Sequence, residues 1–382
     1  MPQHKVMTIY GTRPEAIKVA TVIEALERDE RFESVAVVTG QHREMLDQVN
    51  SRFGIEPRHD LDLMAPRQAL NGIVSRVIAG IDELIEREQP DVVLVQGDTS
   101  TAMAAAVAAF NRQVTVVHLE AGLRTGHIDS PFPEEANRKI ISQIAKLHLA
   151  PTSGARNNLL HEAVEPESIV VTGNTVIDAL LEATSWQTVP SDGRLAVALE
   201  SGRPLILVTT HRRENLGGSM KAIGEALAGI AKTHTDHIIV LPIHRNPAVR
   251  TAVVPYVERL ENVIVTEPLG YAEFTKVMAA STLVLTDSGG VQEEAPSLGK
   301  PVLVMRDNTE RPEAIDAGTV RLVGTDRERI EFEVHHLLTD KTAYGAMANA
   351  VNPYGDGRAT ARSVAAIAQL LGVGTREPDF TV

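Results

Sequence analysis

The sequence predicts an α/β protein of two doubly wound domains. Its 382 residues are more than one ordinary hydrophobic core needs, so two domains are expected. Short runs rich in β-branched residues alternate with longer segments of helical spacing. These runs are continuously apolar, as expected of parallel strands that helices cover on both faces. The alternation therefore predicts a parallel sheet in each half of the chain.

The first half of the chain contains four of these apolar runs. They span residues 5–10, 35–39, 91–96 and 114–119. Residues 69–88 lie between the second and third runs and have the spacing and length of a helix. Together these elements predict an N-terminal domain over residues 1–170.

A second series of apolar runs predicts the strands of the other domain. They span residues 168–172, 204–209, 237–243, 263–266, 282–286 and 301–305. Residues 219–232 between them have helical spacing. The join is expected within residues 151–180, where Pro151 and a later Gly-Asn pair supply turn residues. The C-terminal domain is therefore expected over residues 171–359.

The end of the chain carries one more amphipathic pattern. It covers residues 360–371 and predicts a helix within about residues 360–375. We expect this helix to pack back on the N-terminal domain. The tail that follows is expected to fray.

Charge and composition exclude several classes of protein. Acidic residues outnumber basic ones by 50 to 37, and the formal charge of -13 opposes binding to nucleic acid or to an anionic membrane. The chain has no cysteine, which excludes disulfides and thiolate chemistry. Its N-terminus lacks the regions of a signal peptide, and no run of about 18 apolar residues is present to cross a bilayer. A cytoplasmic protein is expected.

Polar residues and glycine follow most of the apolar runs. In open α/β sheets ligands bind at the carboxyl ends of the strands, so these residues are candidates for a site. One such cluster is ordinary, because most strands end in this way. Clusters in both halves predict a ligand-binding cleft between the two domains. They are GTRPE (11–15), TGQH (39–42), QGDT (96–99), EAG (120–122), THRR (210–213), HRN (244–246) and DSGG (287–290).

The triplet Ser288-Gly289-Gly290 precedes a helical pattern and is placed to hold a diphosphate with its backbone amides. An ordinary capped helix start explains the triplet equally well. Glu293 and Glu294 begin that helix, where they either interact with the helix dipole or bind ribose hydroxyls. Arg311 would add positive charge, although a lone surface arginine is usually only solvated.

The turn after the first strand has its own candidates. Gly11 and Pro14 suit a strand-to-helix turn, but the turn does not explain Arg13 and Lys18. Neither GxGxxG nor a Walker A sequence follows this strand, which disfavours a nicotinamide cofactor or a P-loop nucleotide.

Four residues are candidates for acid–base chemistry: Asp98, Glu120, Glu134 and His211. Each lies near a strand end or in a turn, where the ordinary alternative is a helix cap or a salt bridge. Carboxylates brought together in a semi-dry cleft have displaced pKa values, which a general acid or base needs. The histidines show no HExxH or comparable ligand spacing, so neither a metal nor another cofactor is predicted.

Taken together, these segments resemble the bacterial non-hydrolysing UDP-N-acetylglucosamine 2-epimerases. The resemblance covers nearly the whole chain, and a string of this length is more specific than any single motif. The matching segments are GTRPEAIK, TGQH, QGDT, HLEAGLRT, PEEANR, TGNTVID, THRREN, PIHRNP, TDSGGVQEEAPSLGKPVLVMR and TERPEA, in that order.

The resemblance implies a GT-B-like fold, in which two Rossmann-like domains face a cleft that holds a UDP-sugar. It also implies a homodimer that interconverts UDP-GlcNAc and UDP-ManNAc. Catalysis would use Asp98, Glu120, Glu134 and His211. The nucleotide and diphosphate would contact Arg13, Lys18, Ser288, Gly289, Gly290, Glu294 and Arg311, with Phe274 beside the uracil.

The family often binds a second UDP-GlcNAc as an allosteric activator. Gln41, His42, Arg67 and Gln68 resemble parts of that subsite. Leu269 departs from the pattern, since some relatives have glutamine there, and any uracil contact at this position would use the backbone.

The chemistry of the sugar limits the mechanism. The C2 hydrogen is not acidic, because C1 is an acetal and no carbonyl is adjacent. An enzyme therefore either oxidises a neighbouring carbon with NAD or couples proton loss to departure of UDP, leaving 2-acetamidoglucal. The missing dinucleotide fingerprint favours anti-elimination and re-addition. A glycosyltransferase of the same fold, a hydrolysing epimerase that releases ManNAc and UDP, and an inactive UDP-sugar sensor remain as alternatives.

Overall fold

The computed structural model describes residues 3–40, 43–63, 68–212, 215, 217–309 and 311–382. The chain divides into two compact units. Unit 1 consists of Met1–Ala179 and Tyr354–Thr381, and unit 2 consists of Leu180–Pro353 and Val382. Each unit has one parallel sheet with connecting helices, which confirms the predicted fold class.

Unit 1 has a seven-stranded sheet within the described residues. Its strands are β1 (His4–Tyr10), β2 (Phe32–Val38), β3 (His59–Asp60), β4 (Val92–Gln96), β5 (Thr115–Leu119), β6 (Leu147–Ala150) and β7 (Ile169–Val171). They lie in the order β3-β2-β1-β4-β5-β6-β7. The strand order reverses between β1 and β4, which are hydrogen-bonded neighbours.

The helices of unit 1 connect these strands. They are α1 (Arg13–Arg28), α2 (Arg43–Arg52), α3 (Leu70–Glu88), α4 (Ser100–Asn111), α5 (Glu134–Ile144), α6 (Ser153–His161) and α7 (Thr175–Thr184), in which the division between the units falls. α4 is rich in alanine, and its small side chains are buried beside those of α3 in one core cluster. Small side chains allow such close packing of helices.

The predicted strand 168–172 belongs to the first sheet and not to the second. It forms β7, which pairs in parallel with β6 and places Ile169 opposite His148. Its apolar run indicates burial but does not specify a neighbour, because the same run would suit either sheet.

Unit 2 repeats this strand order in a six-stranded sheet, counted over its described residues. Its strands are β8 (Leu205–Thr209), β9 (Ile238–Pro242), β10 (Val263–Thr266), β11 (Ser281–Thr286), β12 (Val302–Val304) and β13 (Val320–Leu322). The order is β10-β9-β8-β11-β12-β13, so the reversal lies between β8 and β11.

The helices of unit 2 surround this sheet, and a final helix returns to unit 1. Unit 2 contains α8 (Gly193–Glu200), α9 (Gly218–Thr233), α10 (Pro247–Val257), α11 (Tyr271–Ala280), α12 (Gly289–Glu294), α13 (Pro312–Asp316), α14 (Arg327–Thr339) and α15 (Lys341–Ala348). The final helix is α16 (Ala359–Leu370). None of the helices in the described ranges has the length and hydropathy to span a membrane.

The C-terminal segment is an ordered part of unit 1. α16 packs against α1, and the Asp178 carboxylate accepts a hydrogen bond from the Thr360 amide at 2.8 Å. The sequence predicts that this tail frays, but it is ordered. The Phe380 amide donates to the Val171 carbonyl at 2.7 Å, and the Arg362 guanidinium lies 5.5 Å from the Phe380 ring centroid. The tail is ordered because it bonds to β7, the edge strand of the sheet.

Candidate active site

The two strand-order reversals mark where ligands should bind. In an open parallel sheet the crevice lies outside the carboxyl ends of the strands at the reversal. In unit 1, Arg13 begins the helix after β1, and Asp98 follows β4. In unit 2, His211 follows β8, and Ser288 follows β11. Four predicted site residues therefore occupy the reversal points of their own units.

A buried carboxylate organises the turn after β1. The Glu15 carboxylate accepts hydrogen bonds from the amides of Gly11 at 3.0 Å and Thr12 at 2.7 Å, and from the Thr99 hydroxyl at 2.6 Å. Burial raises the pKa of Glu15, and the bonds from Thr99 and the two amides act against that rise. A side chain on Gly11 would come within 2.2 Å of the Thr39 hydroxyl. Glu15 therefore joins the loops after β1 and β4.

Glu120 is held by three neighbours just after β5. Its carboxylate forms an ion pair with the Lys18 ammonium, accepts from the Gln96 amide, and accepts from the Asn174 amide at 3.1 Å. Only 8% of its side chain is exposed. Its φ of +63° is in the left-handed region, a strained backbone conformation for a residue other than glycine. Lys18, predicted to contact the diphosphate, thus also compensates the Glu120 charge.

Asp98 is paired with an arginine that the sequence did not single out. Arg138 donates to one Asp98 carboxylate oxygen through Nε at 2.9 Å and Nη2 at 2.6 Å. The Asn137 amide donates to the Asp98 carbonyl at 2.8 Å. Burial acts to lower the pKa of Arg138, but Asp98 and Glu135 outweigh it and the net pKa is raised. Arg138 therefore remains a cation and forms an ion pair with Asp98.

Two of the charged site residues predicted in unit 1 have no protein partner among the described residues. The Arg13 guanidinium and the Glu134 carboxylate are both half-buried, and neither forms a hydrogen bond or ion pair with those residues. By contrast, neighbouring Glu135 is fully buried and pairs with Arg138 at 2.9 Å. Half-buried charges without partners are available to a ligand.

Asp98 and Glu120 follow the carboxyl ends of β4 and β5, which are neighbouring strands of the unit 1 sheet. The Gly97 α-carbon lies beside Glu120, since a side chain there would meet a Glu120 carboxylate oxygen at 3.5 Å. His118 Nε2 donates to the Gly97 carbonyl at 2.7 Å, because a carbonyl oxygen only accepts. Burial lowers the pKa of His118 to about 4, so its ring is neutral at pH 7. Through Gly97, the loop that carries Asp98 is positioned against Glu120.

In unit 2 a buried aspartate organises the loop after β8. Asp287 is fully buried and accepts from the Thr210 hydroxyl at 3.0 Å and from the Arg212 amide at 2.9 Å. It also accepts from the His211 amide at 3.0 Å and from the Asn215 side chain at 3.2 Å. The carboxylate therefore holds the polar segment that carries His211.

The His211 ring is placed by two contacts. Its Nδ1 lies 3.3 Å from an Asp287 carboxylate oxygen, and its ring stacks on that of His244 with centroids 5.7 Å apart. Burial lowers the pKa of His211; Asp287 opposes that change, whereas Arg212 and His244 add to it. The ring is therefore mainly neutral at pH 7, with 40% of the side chain exposed.

The glycine turn after β11 is shaped by an arginine. A side chain on Gly289 would come within 2.5 Å of the Arg311 guanidinium and would displace it, so glycine lets the guanidinium lie against this turn. Arg311 also donates through Nε to Glu293 at 2.6 Å. The Ser288 amide is already bonded to the Thr286 hydroxyl at 2.9 Å. The amides of Gly289 and Gly290, in the first turn of α12, lack intrahelical acceptors and are left for an anion.

The remaining nucleotide candidates also belong to unit 2. Glu294 is the last residue of α12 and is buried, and Phe274 lies half-buried in the first turn of α11. Leu269 is buried just before that helix. In the described ranges, no group of metal-ligating side chains lies near these positions. The described residues do contain one such group elsewhere, formed by His234, Asp236 and His237, which precede β9.

A family model described as UDP-N-acetylglucosamine 2-epimerase matches residues 24–368. The chain belongs to the UDP-N-acetylglucosamine 2-epimerase family. The epimerase of Escherichia coli strain K12 is 52% identical over 372 residues, covering 95% of this chain and 98% of that protein. The epimerase of Bacillus subtilis strain 168 is 48% identical over 381 residues, covering 99% of each.

A solved member of the epimerase family supports the fold. The Neisseria meningitidis UDP-GlcNAc 2-epimerase, in a crystal structure bound to UDP-GlcNAc, is 44% identical and superposes with a TM-score of 0.86. The match covers 96% of this chain and 100% of that one. This agreement confirms the GT-B-like pair of α/β domains expected from the sequence.

The activator subsite predicted from the epimerase family is only partly described. Gln41, His42 and Arg67 lie outside the described residues. The Gln68 amide nitrogen donates to the Leu63 carbonyl at 3.0 Å, and its carbonyl oxygen is buried with no partner among the residues described. A buried acceptor of this kind is suited to a donor from a ligand.

Sequence reasoning did not predict which residues hold the catalytic candidates of this epimerase-family chain. These are Gln96 and Asn174 around Glu120, Arg138 beside Asp98, and Asp287 behind His211. All four lie in the strings QGDT, TGNTVID, PEEANR and TDSGG. Polar residues at the ends of buried strands were the available signal, but their partners are distant in the chain.

Proposed function

We propose that this protein interconverts UDP-GlcNAc and UDP-ManNAc by reversible epimerisation at C2. Membership of the epimerase family carries the proposal. A relative that covers nearly the whole chain has been solved with UDP-GlcNAc bound, which supports the same substrate here. Elimination of UDP to 2-acetamidoglucal, followed by its re-addition, remains the proposed route.

The carboxylates of unit 1 are proposed to move the protons. Lys18 forms an ion pair with Glu120, and Arg138 forms one with Asp98, so both carboxylates are held in place at the strand ends. Unlike Glu120 and Asp98, the half-buried Glu134 carboxylate forms no ion pair with a lysine or arginine among the described residues. Elimination and re-addition need protons handled on opposite faces of the sugar, so at least two of these groups must act.

The polar groups of unit 2 are proposed to stabilise the departing diphosphate. The Gly289 and Gly290 amides can donate to its oxygens, and the Arg311 guanidinium beside them supplies positive charge. The exposed, neutral His211 ring can donate a hydrogen bond as negative charge develops on the leaving group. Arg13 of unit 1, which has no partner among the described residues, is proposed to add a second positive charge to this stabilisation.

Turnover of UDP-GlcNAc in heavy water, without any acceptor sugar, tests the proposal. We expect deuterium at C2 of both UDP-GlcNAc and UDP-ManNAc, because the proton removed from C2 exchanges with solvent before re-addition. NMR and mass spectrometry report the label. Absence of deuterium at C2 would refute epimerisation by elimination. Steady release of free ManNAc and UDP would instead identify a hydrolysing enzyme, and turnover only with an acceptor would identify a glycosyltransferase.

The proposal includes activation by a second molecule of UDP-GlcNAc. The buried, unpartnered Gln68 oxygen supports a ligand contact near this position. Turnover of pure UDP-ManNAc should then be slow until a trace of UDP-GlcNAc is added. The variants Arg67→Ala and Gln68→Ala should lose this stimulation. Equal initial rates of the native protein with and without the trace would remove the activator subsite.

A homodimer and a cytoplasmic location, both expected from the sequence analysis, complete the proposal. Light scattering coupled to gel filtration measures the assembly directly. A mass near twice 41.3 kDa is the expected result, and a mass near 41.3 kDa would contradict it.

A further inference from the structure

A cluster of imidazoles and a carboxylate lies in the loop between α9 and β9. His234 follows the last residue of α9, and His237 directly precedes β9. The loop is thus at the amino-terminal edge of the sheet, whereas His211 and Ser288 follow the carboxyl ends of β8 and β11. β9 has five residues, which corresponds to about 16 Å of extended strand. The cluster is separate from the candidate active site.

Three side chains of this loop converge on one point. One potential ligand atom from each of His234, Asp236 and His237 lies within 4.8 Å of the others. His237 Nδ1 and an Asp236 carboxylate oxygen are 2.9 Å apart. Two ligands about 2.0–2.1 Å from a zinc ion, at angles between about 90° and 110°, are about 2.9–3.4 Å apart. The His237–Asp236 pair already has that spacing. The His234 ligand atom lies within 4.8 Å of both, so it needs a shift of no more than about 2 Å.

The backbone of this loop is fixed by two side chains from outside it. Arg203 donates to the Thr235 carbonyl at 2.7 Å and to the Asp236 carbonyl at 3.1 Å. The Asn262 amide donates to the carbonyls of His234 at 3.4 Å and His237 at 3.2 Å. A loop held in this way loses little conformational freedom when an ion binds.

The surroundings and charge of the cluster also suit a cation. The His335 ring on α14 lies 5.3 Å from the His234 ring, measured between centroids. Asp236 supplies a negative charge, and its side chain is 76% exposed, which leaves a path for an ion.

We propose that His234, Asp236 and His237 form a binding site for a divalent transition metal such as Zn²⁺. Imidazole and carboxylate ligands together suit zinc, cobalt and nickel, and water would complete the coordination. A bound ion would connect the end of α9 to the start of β9 and stabilise unit 2. It would not take part in the reaction, because the site lies at the opposite edge of the sheet from the candidate active site.

Calorimetric titration with ZnCl₂, after treatment with a chelator and its removal, tests the site on the full-length protein. We expect one ion per chain with micromolar affinity, and a melting temperature that rises by several degrees with zinc. His234→Ala and His237→Ala should each weaken binding at least tenfold, and Asp236→Asn should weaken it less. Epimerase activity of the three variants without zinc should equal that of the native protein.

Two matched histidine variants control for binding elsewhere. His161→Ala, at the exposed end of α6, should bind zinc as the native protein does. His244→Asn removes half of the stacked pair with His211 and should also leave zinc affinity unchanged. Retained affinity in His237→Ala, affinity lost in His244→Asn, or no binding below 1 mM would each overturn the proposal. Co²⁺ absorption bands that change in wavelength or intensity in the exposed Asp236→Asn variant give a second readout if the histidine variants fold poorly, and unchanged bands would also overturn the proposal.

Discussion

Replacement of Asp287 provides a sharp test of how the loop with His211 is held. The carboxylate is fully buried and accepts from four donors: the Thr210 hydroxyl, the His211 and Arg212 amides, and the Asn215 side chain. Asp287→Ala leaves all four donors without their acceptor. A buried donor without an acceptor costs about 1–3 kcal/mol. The two amides cannot rotate away, so we expect a loss of about 4 kcal/mol.

Asp287→Asn should be much milder, because the four donors share one carboxylate oxygen. An amide oxygen in that position retains them, while its NH₂ group faces His211 in place of the other oxygen. We expect a cost of about 1.5 kcal/mol, from one repelled amide contact and the lost charge. His211 should be displaced in the alanine variant more than in the asparagine variant, so turnover should fall in the same order.

Thermal unfolding and turnover of the purified variants measure both effects. For a unit of about 170 residues, 1 kcal/mol shifts the melting temperature by about 2–4 °C. The expected shifts are therefore about 8–16 °C for Asp287→Ala and about 3–6 °C for Asp287→Asn. Asp316→Ala, at an exposed position of unit 2, is the matched control and should change stability by less than about 0.5 kcal/mol. If Asp287→Ala melts within 2 °C of the native protein and turns over normally, Asp287 does not organise this loop.

Three further predictions concern unit 1. If pairing with Glu120 is the main role of Lys18, Lys18→Met should lower turnover by about a hundredfold and change UDP affinity less than threefold. A large loss of UDP affinity, measured by calorimetry, would instead show that Lys18 binds the diphosphate. His118 is neutral in the fold, with a pKa lowered to about 4, and takes up a proton more readily when the chain is unfolded. Stability should therefore fall as the pH drops below about 6.5, and between pH 7 and 5 the native protein should lose about 2 kcal/mol more than His118→Gln. Equal losses for the two proteins on denaturant titration would contradict this. Glu134→Gln and Asp98→Asn should each reduce turnover by about a hundredfold to ten-thousandfold. A variant impaired in re-addition should also release UDP and 2-acetamidoglucal, which NMR analysis of the products detects. Near-normal epimerisation by both variants would show that these carboxylates do not move the protons.

The sequence by itself determined the α/β class, the position of most strands and the strand-end clusters that hold the candidate residues. These features depend on short-range pattern: continuous apolar runs indicate buried strands, and polar residues with glycine mark their ends. The turn after β1 could be predicted for the same reason, because Gly11 and Pro14 determine the conformation of their own backbone. Family membership followed from the order of many such strings along the chain.

Only the tertiary structure decided which residues meet. The partners of Glu120 come from α1, β4 and the segment before α7, and Asp98 meets Arg138 forty positions later. Strand 168–172 joined the first sheet, and the tail became ordered on β7, because hydrogen bonding to a particular neighbour is not encoded in a run of apolar residues. The cluster at His234 escaped a search for metal-binding motifs because a loop fixed by Arg203 and Asn262, and not a helical repeat, brings its side chains together. Local pattern specifies an element, whereas contacts between distant segments specify the site.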